Sequence, residues 1–117
     1  MQDDDCLFCK IIAGEIPSTA VLDRDNVFAF RDIAPAAPVH ILVVPKQHVG
    51  DVRDLTGEHG SVLIEMFQAA NDLATQEGIA QSGYRVLFNV GPDAGQTVFH
   101  LHMHLVGGKP LGGVGPG

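Results

Sequence analysis

The sequence predicts an α+β domain: about five short strands in a mostly antiparallel sheet, one long amphipathic helix and a short N-terminal helix. Three observations carry this. Apolar residues recur at three- and four-residue intervals over one long stretch, at Val62, Leu63, Met66, Phe67, Ala70, Leu73 and Ala74. Five other runs are short, apolar and bounded by turn residues, as strands are. Most of these runs follow one another closely, as in hairpins and meanders.

The elements then follow in order. In "CLFCKIIAG", Leu7, Phe8, Ile11 and Ile12 stand at helical spacing before Gly14, which gives the short first helix, and "GEIPS" is a turn. "TAVLDRD" (19–25) and "NVFAFRDI" (26–33) are two strands joined by the polar link Asp23-Arg24-Asp25-Asn26. "VHILVVP" (39–45) is continuously apolar between Pro38 and Pro45, so it reads as a central strand buried on both faces. The long helix runs from Glu58 to Glu77 and stops at Gly78; "YRVLFNV" (84–90) is a strand, "GPDAGQT" (91–97) a tight loop, and "VFHLHMHLV" (98–106) the last strand. The remainder, "GGKPLGGVGPG" (107–117), has no periodicity and reads as a tail that either docks or stays mobile.

The 117 residues suit one domain spanning 1–117. A formal charge of -7 argues against a general affinity for nucleic acid or anionic membrane, so any phosphate binding must be local. No apolar run approaches a bilayer span, and the acidic start "MQDDDC" is unlike a signal peptide, which points to a cytoplasmic protein. Cys6 and Cys9, three positions apart, cannot staple a secreted domain and need a local explanation.

His100, His102 and His104 alternate with Leu101, Met103 and Leu105. On a strand the three imidazoles share one face and the apolar residues the other. The plain reading is the polar face of a half-buried strand, but Thr, Lys or Glu would serve that purpose without a row of groups that titrate near neutral pH. A metal site or a nucleophilic histidine remains. The preceding loop, "NVGPDAGQT", has glycines at 91 and 95 that permit amide N–H groups to point at an anion, although a plain hairpin loop has the same composition.

Together these blocks resemble the histidine-triad (HIT) family. "HLHMHLV" fits the pattern His-φ-His-φ-His-φ-φ with φ apolar, "GQTVF" precedes it, and "RDIAPAAPVHILVVPKQH" lies upstream. "CLFCKIIAGEIPS" and the "GG" after the triad look like the Hint branch, so the resemblance covers nearly the whole chain. It implies a HIT-like fold, a homodimer, and hydrolysis or transfer of a purine nucleoside monophosphate from a phosphoramidate. No cofactor is then required for catalysis.

The catalytic set implied is His100, His102 and His104, with His40 and Thr97. His102 would be the nucleophile at the α-phosphorus, which requires a neutral ring with Nδ1–H given to a fixed acceptor and Nε2 free. His104 would contact phosphoryl oxygens, and Gly95 and Thr97 would donate to the developing charge. Thr97 stands where family members commonly carry Ser. Asp32 would accept from the ribose hydroxyls; Leu7, Phe8, Ile11, Phe30 and Ile33 would wall the base; and Asn89, Gln96 and Val98 complete the nucleotide site. For any single apolar residue of this set, plain core packing is the alternative.

A Cys pair needs two more ligands to hold a structural zinc. The resemblance supplies His48, of "PKQH", and His100. The competing functional readings are a diadenosine polyphosphate hydrolase of the same family, a zinc-dependent hydrolase using the alternating histidines, and a nucleotide-binding scaffold without turnover. The tail also departs from the Hint pattern: "KPLGGVGPG" lacks the tryptophan usual there.

Overall fold

In the computed structural model, which describes residues 5–113, the elements are α1 (Leu7–Ile12), β1 (Ala20–Asp23), β2 (Val27–Arg31), β3 (Val39–Pro45), α2 (Gly60–Gln76), β4 (Tyr84–Leu87) and β5 (Met103–Gly107). Single 3-10 turns lie at Val52–Asp54, Gly57–His59 and Pro92–Ala94. The five strands form one sheet in the order β1-β2-β3-β5-β4, and every neighbouring pair is antiparallel. The α+β class and the central place of β3 are as the sequence predicts.

All seven residues of β3 are buried because both faces of the sheet are covered there. Val39, Ile41 and Val43 point to the side of α2, where Met66, Ala69, Ala70 and Leu73 meet Val27, Ala29, Leu101, Met103 and Leu105. Each large side chain buried in that layer contributes about 1.5–3 kcal/mol. On the opposite side, Leu42 and Val44 join Phe28 and Phe30 under α1, which contributes Phe8, Cys9 and Ile11. The periodicity of α2 suits the first layer, and the two-residue period of β2 and β3 feeds both. His40, between Val39 and Ile41, therefore falls on the α1 side.

The structure corrects several boundaries. The long helix starts at Gly60 because residues 57–59 wind as a 3-10 turn, with the Thr56 hydroxyl accepting from the Glu58 N–H at 3.3 Å. The fourth strand ends at Leu87 and the fifth begins at Met103, so residues 98–102 are not in the ladder. Their alternation survives nonetheless: Leu101, Met103 and Leu105 are all buried toward α2, and the Leu101 N–H is taken by the Val49 carbonyl at 2.6 Å. A strand's side-chain pattern thus persists where its hydrogen bonds do not. Gly107 belongs to β5, not the tail; a Cβ there would meet Ile79 Cδ1 at 2.8 Å and the Gly83 carbonyl at 3.3 Å. Beyond it the tail docks, since Arg85 of β4 donates to the Gly112 carbonyl. Residues 114–117 lie outside the described residues. Among those described, no helix is long and apolar enough to cross a membrane.

Candidate active site

The pairing of β3 with β5 sets Leu42 opposite His104 and His40 opposite Val106, so His40 and His104 come together on the α1 side. His102, just before β5, shares that side. Phe8 packs edge-on against His102 with ring centroids 5.0 Å apart, and against Phe30 at 5.3 Å. Between these groups lies a cavity of about 340 Å³. That is within the range of small-molecule sites, roughly 300–1,000 Å³.

The residues expected to bind nucleotide all line this cavity. Leu7, Phe8, Ile11, Phe30, Ile33 and Val98 form an apolar wall; Asp32, Asn89, Gly95, Gln96 and Thr97 form a polar rim; His102 and His104 complete it. Ile33, 99% exposed, stands at the mouth. The sequence reading missed Leu42, which also lines the cavity and is detectable only once its register with His104 is known. A larger cleft of about 770 Å³, bordered by Glu77, Ile79, Ser82 and Lys109, holds no histidine or thiol.

The hydrogen bonds assign the tautomers. The Ala36 N–H donates to His40 Nδ1 at 3.0 Å, so the proton of His40 sits on Nε2. That Nε2–H faces His104 Nδ1 at 2.8 Å and lies 3.4 Å from Asp32 Oδ2. His104 Nδ1 therefore accepts, and the His104 proton is on Nε2, a buried atom with no partner among the described residues. His102 donates Nδ1–H to the His100 carbonyl at 2.7 Å, which leaves Nε2 as the unengaged, unprotonated nitrogen of a ring lining the cavity. Burial pushes the His102 pKa below its usual 6.5, against the His100 carbonyl and Asp32, which raise it. Burial, then repulsion by His102 and His40, drives His104 down to about 4, with Asp32 opposing. Both rings are neutral at pH 7.

His100 departs from the expected catalytic row. Its ring is fully buried and absent from the cavity lining; only its backbone carbonyl serves the site. His100 donates Nε2–H to the Pro45 carbonyl at 2.8 Å, so Nδ1 is bare. That nitrogen lies 3.2 Å from Cys6 Sγ and 3.4 Å from Cys9 Sγ, and His48 Nδ1 lies 3.4 Å from Cys9 Sγ. The four donor atoms all fall within 4.8 Å of one another. Tetrahedral zinc with bonds of about 2.3 Å to sulfur and 2.0–2.1 Å to nitrogen implies S···N edges of about 3.5 Å, so the donors fit such an ion. Cys6 also caps α1, its sulfur accepting from the Cys9 N–H at 3.1 Å. Burial lowers the His100 pKa to about 4, which keeps the ring in its ligating form.

A second set, Asp32, His40 and His104, is equally close, but the Ala36 N–H fixes the His40 proton on the nitrogen that a metal would need. The loop 91–97 contributes Gly95, Gln96 and Thr97 to the cavity. Gly91 at φ +80° and Gly95 at φ +86° take backbone conformations that favour glycine, and Gly95 and Thr97 are exposed on the cavity rim. Within residues 95–97 the Gly95 N–H is taken by the Pro92 carbonyl at 2.9 Å and the Gln96 N–H by the Gly91 carbonyl at 3.1 Å, so only Thr97 keeps its N–H and hydroxyl without a partner among the described residues.

Comparison with known proteins agrees with this geometry. A family model described as HIT domain matches residues 13–111. The purine nucleoside phosphoramidase of Escherichia coli (strain K12) is 49% identical over 109 residues, covering 93% of this chain and 92% of that protein. A 14 kDa zinc-binding protein of Brassica juncea is 46% identical over 114 residues, covering 92% and 96%. The solved structure of a HIT family hydrolase from Clostridium thermocellum superposes with a TM-score of 0.94 at 46% identity, over 98% of this chain and 100% of that one. With its three alternating histidines, its sheet order and its cavity, the chain belongs to the HIT-domain family.

Proposed function

We propose that this HIT-family hydrolase cleaves purine nucleoside 5′-phosphoramidates through a nucleotidyl-His102 intermediate. The observation that carries the reading is the hydrogen bond from His102 Nδ1–H to the His100 carbonyl, which presents a neutral Nε2 lone pair to the cavity. In the first step Nε2 bonds to the α-phosphorus, and the P–N bond breaks with its electron pair going to the amine, which takes a proton from solvent as it leaves. In the second, water attacks the same phosphorus and releases a proton to solvent, and the P–N bond to His102 breaks with its pair returning to Nε2. His104 Nε2–H donates to a phosphoryl oxygen as charge builds, and the Thr97 N–H and hydroxyl serve the same charge. Asp32 takes the ribose hydroxyls, and the apolar wall takes the base. His40 orients His104 and does not touch substrate.

The 49% identity to a purine nucleoside phosphoramidase supports this substrate class over dinucleoside polyphosphates. A metal-activated water at the triad is disfavoured by tautomers: His104 Nδ1 is occupied by His40, and the His100 ring faces the thiols. Zinc at Cys6, Cys9, His48 and His100 would be structural, crosslinking α1 to the segments on either side of it. A homodimer completes the reading, supported by the exposed Ile64 and Phe67 on α2 and the open edge of β4.

Mass spectrometry after brief mixing with an adenosine 5′-phosphoramidate tests the function. A covalent adduct of one nucleoside monophosphate on a peptide containing His102 is expected. Nucleotide binding without adduct or turnover would instead make the protein a scaffold, and faster turnover of diadenosine tri- or tetraphosphate would move it to the other branch.

A further inference from the structure

Gln96 lies on the cavity rim, where a side-chain amide would ordinarily be read as a substrate ligand. Its hydrogen bonds say otherwise. The side chain is buried, Oε1 accepts from the Gly91 N–H at 2.8 Å, and Nε2 donates to the Val98 carbonyl at 3.1 Å and to the Gly50 carbonyl at 3.3 Å. The Gln96 backbone N–H returns to the Gly91 carbonyl at 3.1 Å. Gly91 and Gln96 thus clasp each other twice, once through main chain and once through side chain. Both Nε2 protons and one acceptor position of Oε1 are used inside the protein.

We propose that Gln96 is a positioning residue for Thr97 on the cavity rim, not a ligand of the nucleotide. This rests on the phosphoramidase reading of the same site. The amide ties both ends of the 91–98 loop to each other and to Gly50, in the segment before the Val52–Asp54 turn. The Gly95 N–H is given to the Pro92 carbonyl at 2.9 Å, whereas Thr97, which follows Gln96, is exposed on the rim and has no side-chain hydrogen bond of its own among the described residues to hold it. A loop with glycines in left-handed conformations at 91 and 95 has many alternatives in solution. The Gln96 clasp selects the one that holds Thr97, with its unengaged N–H and hydroxyl, on the cavity rim. A donor held about 1 Å out of place costs on the order of a hundredfold in rate while leaving ground-state contacts to base and ribose untouched. Its loss therefore falls on kcat and not on KM.

Two measurements test this on the full-length chain. In the wild-type protein, two-dimensional NMR with added AMP should shift the Thr97 amide while the Gln96 side-chain amide stays in place and exchanges slowly. A Gln96 side-chain shift as large as that of Thr97 would overturn the assignment, and this arm needs no variant and no turnover. In kinetics with an adenosine phosphoramidate, Gln96→Met keeps the volume and removes all three bonds, whereas Gln96→Glu keeps the acceptor for Gly91 and sets oxygen against two carbonyls. Both are expected to lose about a hundredfold in kcat with KM and the AMP dissociation constant within threefold of wild type, measured well below their melting temperatures. Unchanged kcat in an active wild-type background, or a loss confined to KM, would sink the proposal. An inactive wild-type protein would instead sink the function reading while leaving the NMR result to stand on its own.

Discussion

His100 and His104 lie four residues apart on the same side of one chain segment, and their rings are wired in opposite senses. His100 spends Nε2–H on the Pro45 carbonyl and turns a bare Nδ1 to two thiols. His104 has its Nδ1 filled by His40 and keeps a buried Nε2–H with no partner among the described residues. A backbone group decides each case, directly at His100 and through the Ala36 amide and His40 at His104. Spacing puts a histidine on a face; the partner of its second nitrogen decides whether it becomes a metal ligand or a hydrogen-bond donor.

The strongest way to probe this contrast is to remove the histidine between them. His102→Ala is expected to lower phosphoramidate turnover by on the order of 10⁴-fold or more, with AMP affinity by calorimetry within a few-fold of wild type. Near-wild-type rates would show that the nucleophile is elsewhere. Next comes the thiol side. Cys9→Ser should cut bound zinc, measured by mass spectrometry of native protein, and lower the melting temperature by about 10 °C, equivalent to roughly 2 kcal/mol in a domain of this size. Its kcat well below the melt should change less than threefold. Wild-type protein purified without chelators that holds no zinc, with both thiols free, would remove zinc from the account.

The pH dependence of stability sharpens the other side. The folded protein holds His104 near 4, below the 6.5 of an exposed ring, so the unfolded chain takes up its proton first as pH falls. The His104 contribution is complete above about pH 6.5 and is lost as pH drops toward 4. Calorimetry should show a melting temperature lower by on the order of 5 °C at pH 5 than at pH 7. His104→Gln should make that dependence shallower, leaving the part that His100, also held near 4, contributes; an equally steep curve in the variant would assign it to other groups. The smallest effect belongs to the tail. Deleting residues 111–117 removes the Gly112 carbonyl from Arg85 and should change the kcat/KM ratio between small and bulky leaving amines less than about threefold. Complete inactivity would make the tail an ordered part of the site.

Much of this was legible in the sequence, for identifiable reasons. Continuous apolar character placed β3 at the centre, and the helical period found α2, because burial on two faces or on one stripe leaves a direct imprint on residue type. The triad and the walls of the cavity were legible through the family pattern. Three features were not. Leu42 faces the cavity by virtue of its pairing with His104, which no local pattern encodes. Residues 98–102 alternate as a strand does yet leave the ladder, because alternation reports burial and not hydrogen bonding. The Ala36 amide that fixes the His40 tautomer is a backbone group, equally present at any residue but proline.

The order β1-β2-β3-β5-β4 also bears on how the molecule comes into being. β5 is the last strand in the chain, yet it slots between β3 and β4, pairing residues 39–43 with residues 103–107. In the finished sheet β5 fills the space of about 10 Å, two strand spacings, between β3 and β4. Closing it brings together distant parts of the chain, a slow event in folding kinetics. That same insertion carries His104 to His40 and His102 to Phe8, so the histidine-lined cavity and the finished sheet depend on one strand pairing.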